Sequence, residues 1–158
     1  MNSQEYLTAV KSRFDHNTTV RSDTQDMFIA YEEVFKWAWA AIKLKITSFV
    51  KYLPSTQMSD IESYSNDCLK QAIRDKKGLP LGFQNGVVSY SVIASETISP
   101  DAIIFATGRP KKHYSAFEMP ALFNLNNGEL YYYQGEIVWG KLYENFLKEY
   151  LIKHFYIA

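Results

Sequence analysis

The residues best suited to chemistry lie between positions 109 and 133. Arg109-Pro110-Lys111-Lys112-His113 sets four basic or potentially basic side chains on a proline-stiffened stretch, with no acid between Asp101 and Glu118. Fixed cations of this kind suit a phosphate, a carboxylate ligand or an acidic partner, and the plain alternative is a solvated loop. With residues 117–123 as a strand, parity puts Glu118 on the face of Tyr131 and Tyr133 and away from Phe117 and Met119. A carboxylate partly withdrawn from water beside phenols is suited to general acid or base work, with His113 or Tyr131 as the second proton-transfer group. Parity would turn His113 to the opposite side if the strand began that early. Anion binding falls to Arg109, Lys111, Lys112 and Tyr133. The alternative is a half-exposed strand glutamate, with tyrosines as packing surface for a helix.

Other chemistries find less support. His16, His113 and His154 are scattered and Cys68 is the only cysteine, so no metal-ligand spacing is present and neither a metal nor another cofactor is expected. Cys68 falls on the apolar face of a predicted helix and reads as a core thiol. No glycine-rich phosphate loop and no nucleophile-elbow serine occurs. Charges balance at 17 against 17, and they also balance in each half, 11 basic and 10 acidic in residues 1–79 and 6 and 7 in residues 80–158. A domain that lives on nucleic acid carries a positive excess, so nucleic acid is disfavoured. A lone cysteine and a polar Asn2-Ser3-Gln4-Glu5 start favour a reducing cytoplasm.

The elements that must position these residues follow from period and punctuation. The 158 residues suit one domain. All seven glycines lie at or after Gly78, which implies a helical half (1–78), a sheet half (79–140) and a closing helix (141–158). Tyr6, Leu7, Val10 and Phe14 mark a short first helix. Ser22 and Gln25 form a capping box before Phe28, Tyr31, Phe35, Ala38, Ile42, Ile46, Phe49 and Leu53, which step by three or four and predict one long helix over 22–53, stopped by Pro54. Ser59 and Glu62 open a third helix with Ile61, Tyr64, Cys68, Leu69 and Ala72 inward, ended by Gly78 and Pro80.

The period then shortens to two. Asn85-Gly86 and Asn127-Gly128 are hairpin signals, pairing Phe83 with Val88 and Leu81 with Tyr90, then Leu125 with Leu130 and Phe123 with Tyr132. The fold expected is therefore α+β, with N-terminal helices, an antiparallel sheet of about four strands from two hairpins, and a C-terminal helix. Ser99-Pro100-Asp101 announces a short helix, with a strand as its competitor. Tyr143, Phe146, Leu147, Tyr150 and Leu151 mark the last helix.

Residues 36–51 hold four lysines, two tryptophans and no acid, the composition of a helix lying in a lipid headgroup region, and a peripheral membrane role through them is one alternative. A second apolar row on the long helix, including Trp37, Ala41 and Leu44, suggests instead a homo-oligomer interface. With 12 tyrosines and 10 phenylalanines, the reading that follows is a non-enzymatic, self-associating binding or assembly module whose aromatic and basic surface spans residues 109–133. The alternative is a small enzyme that uses Glu118 with His113 or Tyr131 on an anionic substrate.

Overall fold

A mixed sheet lies between two helical layers. The computed structural model describes residues 1–39, 42–78, 80–81, 85–137 and 141–158. The chain opens with α1 (Ser3–Lys11), then β1 (Thr19–Asp23), β2 (Met27–Phe35) and β3 (Lys43–Tyr52) in an antiparallel meander. Helix α2 (Met58–Asp75) crosses over to β5 (Asn85–Ser95), and α3 (Pro100–Thr107) crosses to β8 (Ala116–Asn124). Strands β3, β5 and β8 are parallel neighbours. The far edge of β8 is shared by β7 (Lys112–His113) and β9 (Leu130–Tyr132), both antiparallel to it. A two-stranded ribbon of β4 (Ser55–Thr56) and β6 (Thr97–Ile98) caps the carboxyl ends of β3 and β5, and α4 (Glu144–Phe155) follows.

Two crossovers that step the same way along the sheet with one handedness must put their helices on one face. Thus α2 and α3 cover Ile29, Phe49, Val87, Ile93, Ala116 and Leu122. On the opposite face α1 and α4 cover Phe28, Leu44, Ile46, Tyr90, Val92 and Phe123. The layer of α1 and α4 is tied across the chain, for the Tyr6 hydroxyl donates to the Phe155 carbonyl at 2.9 Å and the Tyr6 ring stacks on Phe123 at 4.2 Å.

The antiparallel four-stranded sheet from two hairpins is thereby corrected to a seven-stranded mixed sheet that runs through both halves of the chain. The long helix over 22–53 is the hairpin of β2 and β3, joined by a 3-10 turn at Trp37–Trp39. A strand covered on both faces need not alternate strictly, so apolar residues at three- and four-residue steps across β2 and β3 mimic a helix. Residues Leu44 to Val50 are all buried, and β-branched and aromatic content is what distinguished them. Ser22 pairs with Ile29 within the sheet and caps nothing.

Asn85-Gly86 is likewise no hairpin. These two residues start β5 beside Lys43 and Leu44, and a Cβ on Gly86 would stand 2.8 Å from Leu44 Cδ2. The glycine allows close strand contact rather than a turn. Phe83, assigned to that hairpin, lies outside the described residues. The second hairpin exists in another register, with Phe123 opposite Leu130 around a loop whose amides at 126 and 127 are held by Asn124 Oδ1. The third and last helices stand near their expected bounds. The short helix after Ser99 forms, with Ser99 Oγ accepting from the Ala102 amide.

Candidate functional site

Strands β7 and β9 leave a gap in the sheet edge. Strand β7 pairs with residues 116–117 of β8 and β9 with residues 121–123, so among the described residues 118–120 have no strand on that side. Pro120 lies in the gap and has no amide hydrogen to leave unpaired there. Beside it opens a cleft of about 340 Å³ lined by Met58, Ile104, Phe105, Pro110 and Pro120, with Arg109, Lys111, Asp101 and Glu118 as its charged groups.

Glu118 is 6 % exposed, and both its oxygens have partners. Ser65 Oγ, from the middle of α2, donates to Oε1 at 2.7 Å, and His113 Nε2 lies 2.8 Å from Oε2. A carboxylate only accepts, so His113 donates through Nε2, and its Nδ1 has no partner among the described residues. This is the arrangement by which a carboxylate fixes the tautomer and orientation of a histidine that exchanges protons at its other nitrogen. His113 reaches the acid because β7 turns back on β8: it pairs with Ala116, which lies on Glu118's face. Parity along one continuous strand had placed it on the other side. The reversal is made at Tyr114-Ser115, where Ser115 takes φ 49.

A polar strip underlies the pair. Thr47, Ser89 and Glu118 stand opposite one another on β3, β5 and β8, and Ser91 stands opposite Pro120. These residues separate two apolar clusters under α2 and α3, one around Phe49 and Leu69, the other around Ile61 and Leu122. The Ser89 and Ser91 hydroxyls are buried with no hydrogen-bond partner among the described residues. Burying such groups costs free energy that aliphatic side chains would avoid, so the strip is not what packing alone would select. Ser65 and this strip went unread in the sequence; the available signal was a serine among Ile61, Cys68 and Leu69 on the buried stripe of α2.

The acids of the cleft are engaged and the cations less so. Asp101 accepts from Ser99 Oγ and the Ala102 amide, and Glu118 is held as described. Lys111 stands 4.0 Å from Glu62 in an exposed pair, and Arg109 uses Nε alone, toward the Tyr133 hydroxyl at 3.4 Å. Among the described residues the guanidinium's other donors have no partner.

The remaining candidates disperse. Lys112 pairs with Phe117 and lines a different pocket, with His113, Ile42, Phe117 and Tyr143. Tyr131 shares Glu118's face but stands opposite Leu122 and hydrogen-bonds Glu129, which raises its pKa and keeps its proton in place. Tyr133 donates to the Glu136 carbonyl. Of the interface set, Trp37 is exposed, Leu44 is fully buried, and Ala41 lies outside the described residues. Residues 44–50, part of the segment read as an interfacial helix, are buried in β3. Burial pushes the Cys68 thiol up to about 12. Among the described residues no group of three or more His, Cys, Asp or Glu side chains is placed to hold a metal ion, and no helix is long and apolar enough to cross a membrane. No family model matches the chain, and neither the curated proteins nor the solved structures hold a match to it.

Proposed function

We propose that this protein binds a small organic anion with an apolar body in the cleft between α3 and the open stretch of β8. The observation that carries the reading is the unequal engagement of charges there: the acids are held by neighbours, while Arg109, among the described residues, keeps donors for a carboxylate or phosphate. Met58, Ile104, Phe105 and the two prolines supply contact for the apolar part. Calorimetric titration with a panel of alkyl and aryl phosphates and carboxylates tests it. A saturable ligand is expected, weakened about 10-fold or more by Arg109→Ala, as loss of a charge-assisted hydrogen bond implies, and unchanged by Lys112→Ala. Failure of every anion to bind, or equal loss in both variants, refutes the site.

A second reading, small-molecule acid–base catalysis, is favoured by the Ser65–Glu118–His113 chain. In it His113 Nδ1 takes a proton from an anion or a water in the pocket that His113 lines with Ile42, Lys112 and Tyr143, and Glu118 stabilises the imidazolium that forms. Its mark is a ligand that turns over in the native protein and binds without turnover in His113→Gln.

A further inference from the structure

The amino ends of β3, β5 and β8, the end of β2, and the segment entering α4 all meet at one end of the sheet, and that end exposes large apolar side chains. Trp37 is 85 % exposed, Tyr114 77 %, Leu142 57 % and Phe35 42 %. They are neighbours in the fold. Phe35 packs edge-on against Trp37, buried Trp39 does the same against Tyr143, and Tyr143 shares one pocket with Ile42 and Tyr114. Three strand spacings, roughly 15 Å, separate β2 from β8, so the patch is broad enough to act as a surface. A tryptophan this open gains nothing from the domain's own core and loses contact with water when covered.

The charges around it are mainly of one sign. Lys36, Lys112 and Lys141 are exposed here. Lys36 extends over the Trp39 and Phe146 rings at 5.4 and 4.7 Å. The nearby acids Glu33 and Glu144 are each paired to lysines, which leaves Glu136 as the exposed acid on the segment between β9 and α4. A second copy docking through the same patch would set lysine against lysine, which disfavours a symmetric dimer here.

We infer that this end of the sheet docks on an anionic lipid surface, with Trp37, Tyr114 and Leu142 at headgroup depth and the three lysines on lipid phosphates and carboxylates. Aromatic rings that are apolar in body and polar at one edge partition to that layer, and the flexible lysine stems let each ammonium stay with the headgroups. The contact is made by loops and strand ends and needs no helix.

The test is sedimentation with vesicles of phosphatidylcholine alone and of phosphatidylcholine mixed with phosphatidylserine, at low and high salt. The native protein should sediment with the mixed vesicles, less at high salt, and not with phosphatidylcholine alone. Lys36→Glu/Lys112→Glu/Lys141→Glu should lower the partition coefficient on the order of 100-fold or more, and Trp37→Ser/Tyr114→Ser should lower it while leaving unfolding by urea unchanged, since all five side chains are exposed. Absence of binding to the mixed vesicles overturns the inference, as does binding that neither variant reduces. Binding to a soluble acidic polypeptide without binding to vesicles also overturns it and assigns the patch to a protein partner.

Discussion

The His113–Glu118 pair makes one substitution change sign with its background. Glu118→Gln keeps an acceptor for Ser65 and replaces a charge-assisted bond to His113 with a neutral one, a loss of about 1 kcal/mol in the native protein. His113→Leu alone leaves the Oε2 of a carboxylate only 6 % exposed without its partner. A buried charged group so stranded costs several kcal/mol at full burial, and the open cleft beside it reduces this to about 2 kcal/mol. In that background Glu118→Gln removes the uncompensated charge and should return about 1 kcal/mol. The coupling between the two positions is then about 2 kcal/mol, well above the ~0.5 kcal/mol scatter of independent sites. Urea unfolding of the four proteins at pH 7 reads it: with a slope of about 1.5 kcal/mol/M, the midpoint falls by roughly 0.7 M in the native background and rises by a similar amount in the His113→Leu background. If Glu118→Gln lowers the midpoint equally in both, His113 does not compensate Glu118 and the orientation argument fails.

Two further outcomes follow from the meander. Glu33 is held down to about 2 from its usual 4.5, first by Lys45 Nζ at 2.7 Å, with burial opposing and Tyr31 and Lys43 assisting. Its folded-state pKa is depressed, so the stabilisation is complete above about pH 4.5 and is lost as pH falls through 2; with the side chain about a third exposed, roughly 1–2 kcal/mol is expected. The stability difference between native and Glu33→Gln should stay level from pH 7 to about 5 and close near pH 2, and a difference that persists there refutes the assignment. Leu44→Ala, at a fully buried position, should cost about 3 kcal/mol without changing the molar mass in solution, and a change of mass with little loss of stability would return Leu44 to an interface.

Local signals in the sequence survived where the chain's own neighbours decide the structure. Ser99-Pro100-Asp101 carries a cap, a fixed φ and a favourable charge within three residues, and α3 forms there. The apolar stripe of α2 was legible because one face of that helix remains in water. Strands β3 and β5 were not, since layers made by distant segments bury both their faces and erase the alternation that marks a strand. Asn85-Gly86 misled for a related reason: Gly86 answers to Leu44 across the sheet, a constraint no window around residue 85 contains. The acid of the cleft and the histidine that meets it were identified from residue type. Their contact was hidden by the two-residue reversal at Tyr114-Ser115, and Ser65 arrives from α2, 53 residues away from Glu118.

The bond from Tyr6 to Phe155 joins residues 149 apart. During synthesis at about 5–20 residues per second, the first helix therefore waits roughly 10–30 s before its hydroxyl has an acceptor. Nine residues do not hold a helix alone in water, so this segment stays unstructured on the ribosome and is accessible to proteases and chaperones. Its docking belongs among the last steps of folding, after β8 offers the Phe123 ring and α4 has settled. A ribosome-held chain that has emerged only as far as residue 143 would have the α2 and α3 side of its sheet covered and the other side bare.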